Sequence, residues 1–346
     1  MRSLTRQMFL AAFTLFTARA LCAASYEPSA EAGPREVATI VEDWTDAKRQ
    51  DRKVPVKVYY PKGSDRCPVI IFSHGLGGTR EGYEYVGRYW ASHGFVSVHL
   101  QHLGSDDAVW KDAPPAQRLA EMKKATMNLR AALDRPKDVT FAIDTLERLN
   151  KDSTSALKGR LDLDRLGMAG HSFGGWTTLA AGGQTFAPRL GRGINLGDDR
   201  IKAMIPMSAP PGRDSSQHAE SFKSIKIPAM HMTGTLDDSQ ITDTTPEDRR
   251  KAYEHTPGPA QGGKDQYLIN FEGGDHSIFS GARWPGAGKG DPKKDKTFYL
   301  LIQRSTLAFW DAYLRDNKEA LAWLQGDAGM KKMLGKHAEL ELKKKQ

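Results

Sequence analysis

The sequence predicts an α/β fold, with a mostly parallel central sheet, helices on both faces and an antiparallel ribbon at its start. Two continuous apolar runs, 68–73 and 95–100, read as strands buried on both faces. A helical stretch, 83–92, lies between them, and strand–helix alternation implies parallel strands joined by crossover helices. Two alternating segments, 36–44 and 54–60, flank the polar stretch 46–52 and read as the ribbon.

Later elements follow the same logic. Residues 105–150 form a long polar, helical region, with apolar residues at helical spacing over 117–133 and 138–149 and a break at Arg135-Pro136. It is either a plain crossover or a cover for a site entrance. A short strand is expected at 166–170 and a helix at 173–181. Further strands are expected at 203–207, 229–233 and 266–271, and a last helix at 297–314. There is no internal repeat and no second set of strands for another domain.

The 346 residues are 39% hydrophobic and 27% charged, enough to bury a large core without disulfides. Residues 1–24 read as a signal peptide: Arg2 and Arg6, an apolar run over 8–18 too short to span a bilayer, then small residues at 22–24. Its removal takes away Arg2, Arg6 and Arg19 and no acid, so the net charge falls from +8 to +5. It also leaves Cys67 as the sole cysteine, so no intrachain disulfide is expected. Residues 25–35 read as a linker, 36–325 as the folded domain and 326–346 as a polar tail. The mild basicity suits transient association with anionic surfaces. The cations are too dispersed for nucleic acid binding, and no other stretch is apolar and long enough to be a transmembrane segment.

Chemistry is concentrated in Gly170-His171-Ser172-Phe173-Gly174-Gly175. A Gly-x-Ser-x-Gly turn between a strand and a helix thrusts the serine oxygen into a cleft, and small residues either side let strand and helix pass closely. A serine needs a base, and in such folds the order is serine, acid, histidine. Among His255, His276 and His337, only His276 follows a predicted strand, so it is the expected base. The strand over 229–233 ends in Gly234-Thr235-Leu236-Asp237-Asp238, and Asp237 is the expected acid, with Asp238 as its alternative. Asp275 is too near His276 in sequence and reads as a turn residue. The oxyanion donors are expected to be the backbone N–H groups of Phe173, after the nucleophile, and of Leu76, in the Gly-rich turn His74-Gly75-Leu76-Gly77-Gly78. These features together are those of the α/β-hydrolase fold. His99 and His102 lack the companions of a metal site, and neither metal nor cofactor is expected.

Residues 71–77 (Ile-Phe-Ser-His-Gly-Leu-Gly), 91–95 (Ala-Ser-His-Gly-Phe) and the 170–175 motif resemble the corresponding segments of plasma-type platelet-activating factor acetylhydrolases. The wider group so resembled includes dienelactone-hydrolase-like esterases, chlorophyllases and cutinase-type polyester hydrolases. The likeness runs from about residue 54 to about 281. It implies backbone donors at Leu76 and Phe173. One place departs from it. The acetylhydrolases carry their acid after the strand that follows the nucleophile helix, where this chain has Met207-Ser208-Ala209-Pro210. Asp237, one strand later, matches the cutinase and dienelactone-hydrolase pattern. Dienelactone hydrolases proper use cysteine where this chain has Ser172.

The expectation is an exported serine hydrolase, periplasmic or extracellular, that cleaves small-molecule or lipid-like carboxylic esters with short acyl chains. The alternatives are a peptidase or amidase on the same triad, or a secreted binding protein that kept the fold without catalysis.

Overall fold

The computed structural model describes residues 26–63, 65–186, 193–212, 215–283 and 288–345; the expected signal peptide lies outside them. Chain order begins with β1 (Val37–Asp46), β2 (Arg52–Pro61), β3 (Cys67–Ser73), α1 (Glu84–Ser92) and β4 (Val96–Leu100). The helical region then gives α2 (Arg118–Ala125) and α3 (Leu129–Lys151), followed by β5 (Leu161–His171) and α4 (Phe173–Ala181). A two-residue hairpin, β6 (Thr185–Phe186) with β7 (Ile194–Asn195), precedes β8 (Ile201–Met207), α5 (His218–Phe222) and β9 (Ala229–Leu236). The chain continues through α6 (Pro246–His255), β10 (Gln266–Asp275), α7 (Asp295–Leu314), α8 (Lys318–Gln325), α9 (Lys332–Leu334) and β11 (Ala338–Lys343).

Nine strands form one sheet in the order β1-β2-β4-β3-β5-β8-β9-β10-β11. The ribbon β1-β2 and the junctions β2-β4 and β10-β11 are antiparallel; all pairings from β4 to β10 are parallel. This mostly parallel sheet with helices on both faces is the α/β-hydrolase arrangement. In β3 every residue is buried, and alternate side chains serve opposite faces. Ile70 and Phe72 join Trp90, Phe271, Phe298 and Trp310 beneath α1 and α7. Val69 and Ile71 join Val139, Ile143, Leu146 and Leu179 beneath α3 and α4. Each such fully buried side chain stabilises the fold by about 1.5–3 kcal/mol.

Three elements differ from expectation. Helix α3 runs unbroken through Pro136. The break falls earlier, at Asn128, whose side chain accepts the Ala131 N–H at 3.0 Å and caps the helix. Packing of Val139, Ala142, Ile143 and Leu146 overrides the proline's local preference. Strand β5 starts at Leu161 rather than 166, because Leu161 and Asp162 pair with Cys67 and Pro68 ahead of a register shift. The expected polar tail instead supplies α9 and β11. Its charge hides a two-residue alternation, with Leu340 and Leu342 packed on the core and Glu339 and Glu341 on the other face. Within the expected linker 25–35, residues 26–35 hold no helix or strand, yet Tyr26 donates to Asp311 at 2.7 Å and its ring meets Trp323 edge-on.

The C-terminal ends of the parallel strands carry the residues expected to form the site. Ser73 pairs with Gly170, His171 with Met207, and Leu236 with Asp275. Residues 74, 172, 208, 237 and 276 therefore emerge side by side along one rim of the sheet, where open α/β folds carry their sites.

Candidate active site

Ser172 sits between β5 and α4 with φ 57° and ψ −118°, a conformation that ordinary L-residues avoid. The turn is held by its N–H, which donates to the Met207 carbonyl at 2.9 Å. It is tight enough to demand glycine. A Cβ on Gly174 would overlap the Ser73 carbonyl, and one on Gly170 would overlap the Gly174 carbonyl. Ser172 is half-buried and lines a cleft of about 820 Å³ together with Leu76 and Phe173. Lys123, Thr126 and Met127, at the end of α2, form part of the opposite wall, so the 105–150 region borders the cleft. Trp176 meets the rings of Phe173 (5.6 Å) and Phe186 (5.2 Å) at tilted angles, and Phe173 and Trp176 give the cleft an aromatic side.

Asp237 and His276 come together. Because Leu236 pairs with Asp275, the residues after them leave adjacent strand ends. The distance from His276 Nδ1 to Asp237 Oδ1 is 2.7 Å. Asp237 is fully buried and satisfied on every side. Ser208 Oγ donates to Oδ1 at 2.8 Å, Thr233 Oγ1 donates to Oδ2 at 2.9 Å, and Arg249 Nε lies 3.5 Å from Oδ1. Burial alone would raise its pKa. The Arg249 guanidinium and His276 outweigh burial, with the hydrogen bonds, and hold the carboxyl down to about 2. With Nδ1 turned to Asp237, the imidazole presents Nε2 on its opposite side. Asp238 points away and pairs with Lys289 at 2.6 Å. Asp275, the last residue of β10, is buried and accepts from the Ser277 N–H at 2.9 Å, the Gly290 N–H at 2.8 Å and Arg283 at 2.7 Å.

Several of these side chains carried no motif. Ser208 adopts φ 51° and touches both Asp237 and His276, the latter at 2.7 Å. Its one signal was position, since it stands where acetylhydrolases keep their acid. Arg249, from α6, donates to the Ser208 carbonyl at 2.6 Å and is buried. His171 lies under the His276 ring, centroids 4.6 Å apart, and burial keeps it neutral by pulling it well below the ordinary histidine range. Tyr83 accepts the Gly75 N–H at 3.2 Å and lies 2.8 Å from His171 Nδ1.

The turn after β3 disposes its N–H groups unequally. Gly75 donates to Tyr83, Gly77 to the Ser105 carbonyl at 2.9 Å, and Gly78 to the Gly75 carbonyl at 3.1 Å. The Leu76 N–H has no such partner among the described residues, and Leu76 lines the cleft beside Ser172. Phe173 opens α4, where a backbone N–H has no intrahelical acceptor. Among the described residues no group of three or more His, Cys, Asp or Glu could hold a metal ion, and no helix is long and apolar enough to cross a membrane. His99 and His102 are both buried and separately engaged, His99 with the Gly82 carbonyl and His102 with Asp138.

A family profile described as platelet-activating factor acetylhydrolase, isoform II, matches residues 45–130. A platelet-activating factor acetylhydrolase of Cavia porcellus is 32% identical over 155 residues, which are 37% of this chain and 34% of that protein. Cutinase est2 of Thermobifida alba is 30% identical over 127 residues, 37% of this chain and 34% of its own. Cutinase 2 of Thermobifida cellulosilytica is 27% identical over 181 residues, 52% of each. The chain is similar to α/β-hydrolase serine esterases. It spans about a third to a half of the length of these relatives. The family profile covers the turn with Leu76 and ends before Ser172.

Proposed function

We propose that this chain hydrolyses carboxylic esters with short acyl groups, with Ser172 as nucleophile, His276 as base and Asp237 as the acid that orients it. The observation that carries this reading is the shared strand-end rim, where a strained Ser172 turn lines the cleft and the hydrogen-bonded Asp237–His276 pair, with Asp237 buried, leaves the neighbouring strand ends. In the mechanism, His276 Nε2 takes the proton of Ser172 as Oγ attacks the ester carbonyl. Asp237 holds the ring through Nδ1 and balances its positive charge. The N–H groups of Leu76 and Phe173 receive the oxyanion. Return of the proton from Nε2 to the departing alkoxide releases the alcohol and leaves an acyl-enzyme. Water, deprotonated by the same imidazole, then frees the acid and restores Ser172. Relatives named acetylhydrolase and cutinase support ester chemistry, and the acetyl in the first name supports a small acyl group. The leader-like residues 1–24 support an exported setting.

The test is hydrolysis of p-nitrophenyl esters from acetyl to long acyl chains, with Ser172→Ala alongside. The expected result is activity that falls with acyl length and drops by several orders of magnitude in the variant. Wild-type turnover in Ser172→Ala would overturn the nucleophile assignment. A flat or rising chain-length profile would overturn the short-acyl reading.

A further inference from the structure

Beneath the turn that holds Leu76 lies a charge the mechanism above does not use. Arg135, on α3, is wholly buried. Among the described residues no carboxylate lies within ion-pair distance of it; the nearby Asp138 is taken by Arg52 (2.8 Å), Arg49 (2.8 Å) and His102 (3.0 Å). Burying a guanidinium without a counter-charge is costly, so its neutral partners matter. Nη1 donates to the His74 carbonyl at 2.8 Å, Nη2 to the Gly75 carbonyl at 3.4 Å, and Nε to Ser105 Oγ at 2.8 Å. The guanidinium carbon stands 4.2 Å from the centre of the Phe173 ring. One side chain thus grips both segments that offer a free N–H to the cleft.

The turn is braced in the same direction by His74. The His102 N–H donates to His74 Nε2 at 3.0 Å, so the ring proton sits on Nδ1 and is donated to the Gly75 carbonyl at 2.6 Å. With the carbonyls of residues 74 and 75 drawn toward Arg135 and His74, the Leu76 N–H, which lies opposite the Gly75 carbonyl in their trans peptide unit, points away from both.

We infer that Arg135 is the positioning residue of the oxyanion hole, joining the 74–76 turn to Phe173 and supplying the buried positive charge that an oxyanion in the cleft would balance. This rests on the function proposed above. The ground-state ester is neutral and gains little from the charge, whereas the tetrahedral anion gains most, so kcat is affected more than KM.

The experiment measures kcat and KM for p-nitrophenyl acetate and inhibition by phenylboronic acid, which forms a tetrahedral anionic adduct with a nucleophilic serine. Variants are Arg135→Gln, Arg135→Lys, Phe173→Leu and Ser172→Ala, with melting temperature recorded for each. We expect kcat to fall about 100-fold in Arg135→Gln and about 10-fold in Arg135→Lys, with KM within about twofold and boronate affinity falling in parallel. Phe173→Leu keeps its N–H but loses the ring face, and a several-fold loss in both readouts is expected. A purely structural role would lower the melting temperature and leave kcat and boronate affinity in place, overturning the inference. If Arg135→Gln does not fold, Arg135→Lys and Phe173→Leu decide, and unchanged boronate affinity in both overturns it. Wild-type activity in Ser172→Ala overturns the parent reading with it; an inactive Ser172→Ala beside a fully active Arg135→Lys overturns this inference alone.

Discussion

Ser208 Oγ, just after the end of β8, donates to Asp237 Oδ1 at 2.8 Å. The same hydroxyl lies 2.7 Å from His276 Nδ1, so it touches both members of the acid–base pair. Position 208, just after β8, thus supplies a hydrogen-bond donor to the carboxylate that follows β9. Removing that donor costs a charge-assisted bond, worth about 1.5–3 kcal/mol. Ser208→Ala is expected to lower kcat about tenfold at constant KM; an unchanged kcat in steady-state assays would show that Thr233 and Arg249 suffice.

Neighbouring carboxylates should behave oppositely. Asp237→Asn should cost on the order of 10⁴ in kcat, because the amide presents the wrong partner to Nδ1. Asp238, paired with Lys289 on the surface, should tolerate Asn within about twofold. Parallel kinetics on the two variants check this, and comparable losses in both would reassign the acid.

The nucleophile turn should be intolerant of a single methyl group. A Cβ on Gly174 meets backbone of β3, which has no room to yield, so Gly174→Ala is expected to give insoluble or inactive protein. Soluble expression with a wild-type melting temperature would show that α4 can shift on the sheet.

Acid should unfold the protein early. Burial holds His102 down to about 4, and His99 and His231 to about 3, so each stays neutral while folded. The unfolded chain binds their protons at about pH 6.5. Stability is therefore complete above pH 6.5 and falls as the pH drops toward 4, by roughly 1.4 kcal/mol per pH unit for each histidine. Asp237, held to about 2 by Arg249 and His276 against its burial, adds a loss that begins only below its ordinary range near 3.8. Melting temperatures at pH 7.5, 6 and 5 should decline steadily; a flat profile would mean the buried rings accept protons without unfolding.

Strands were legible because β3 and β4 are apolar throughout and the Ser172 turn carries glycines that only a close strand–helix crossing requires. Asp237 and His276 could be named separately from their strand ends. Their meeting depends on the Leu236–Asp275 register, which no local pattern encodes. Arg249 and Arg135 lie on helices whose sequences look solvent-facing, and their burial is fixed by partners far away in the chain. Pro136 misled for the converse reason, since its local signal is strong and tertiary packing overrode it. The alternation of β11 was masked by its lysines and glutamates.

That final strand has a practical meaning. β11 covers the outer side of β10, whose Tyr267, Leu268 and Ile269 are fully buried and whose far end delivers His276. Cutting the chain before Ala338 would bare a sticky, unpaired sheet edge, inviting strand addition from a second molecule. Such a truncation should aggregate and lose its base together, so fusion tags belong after this strand and never in its place.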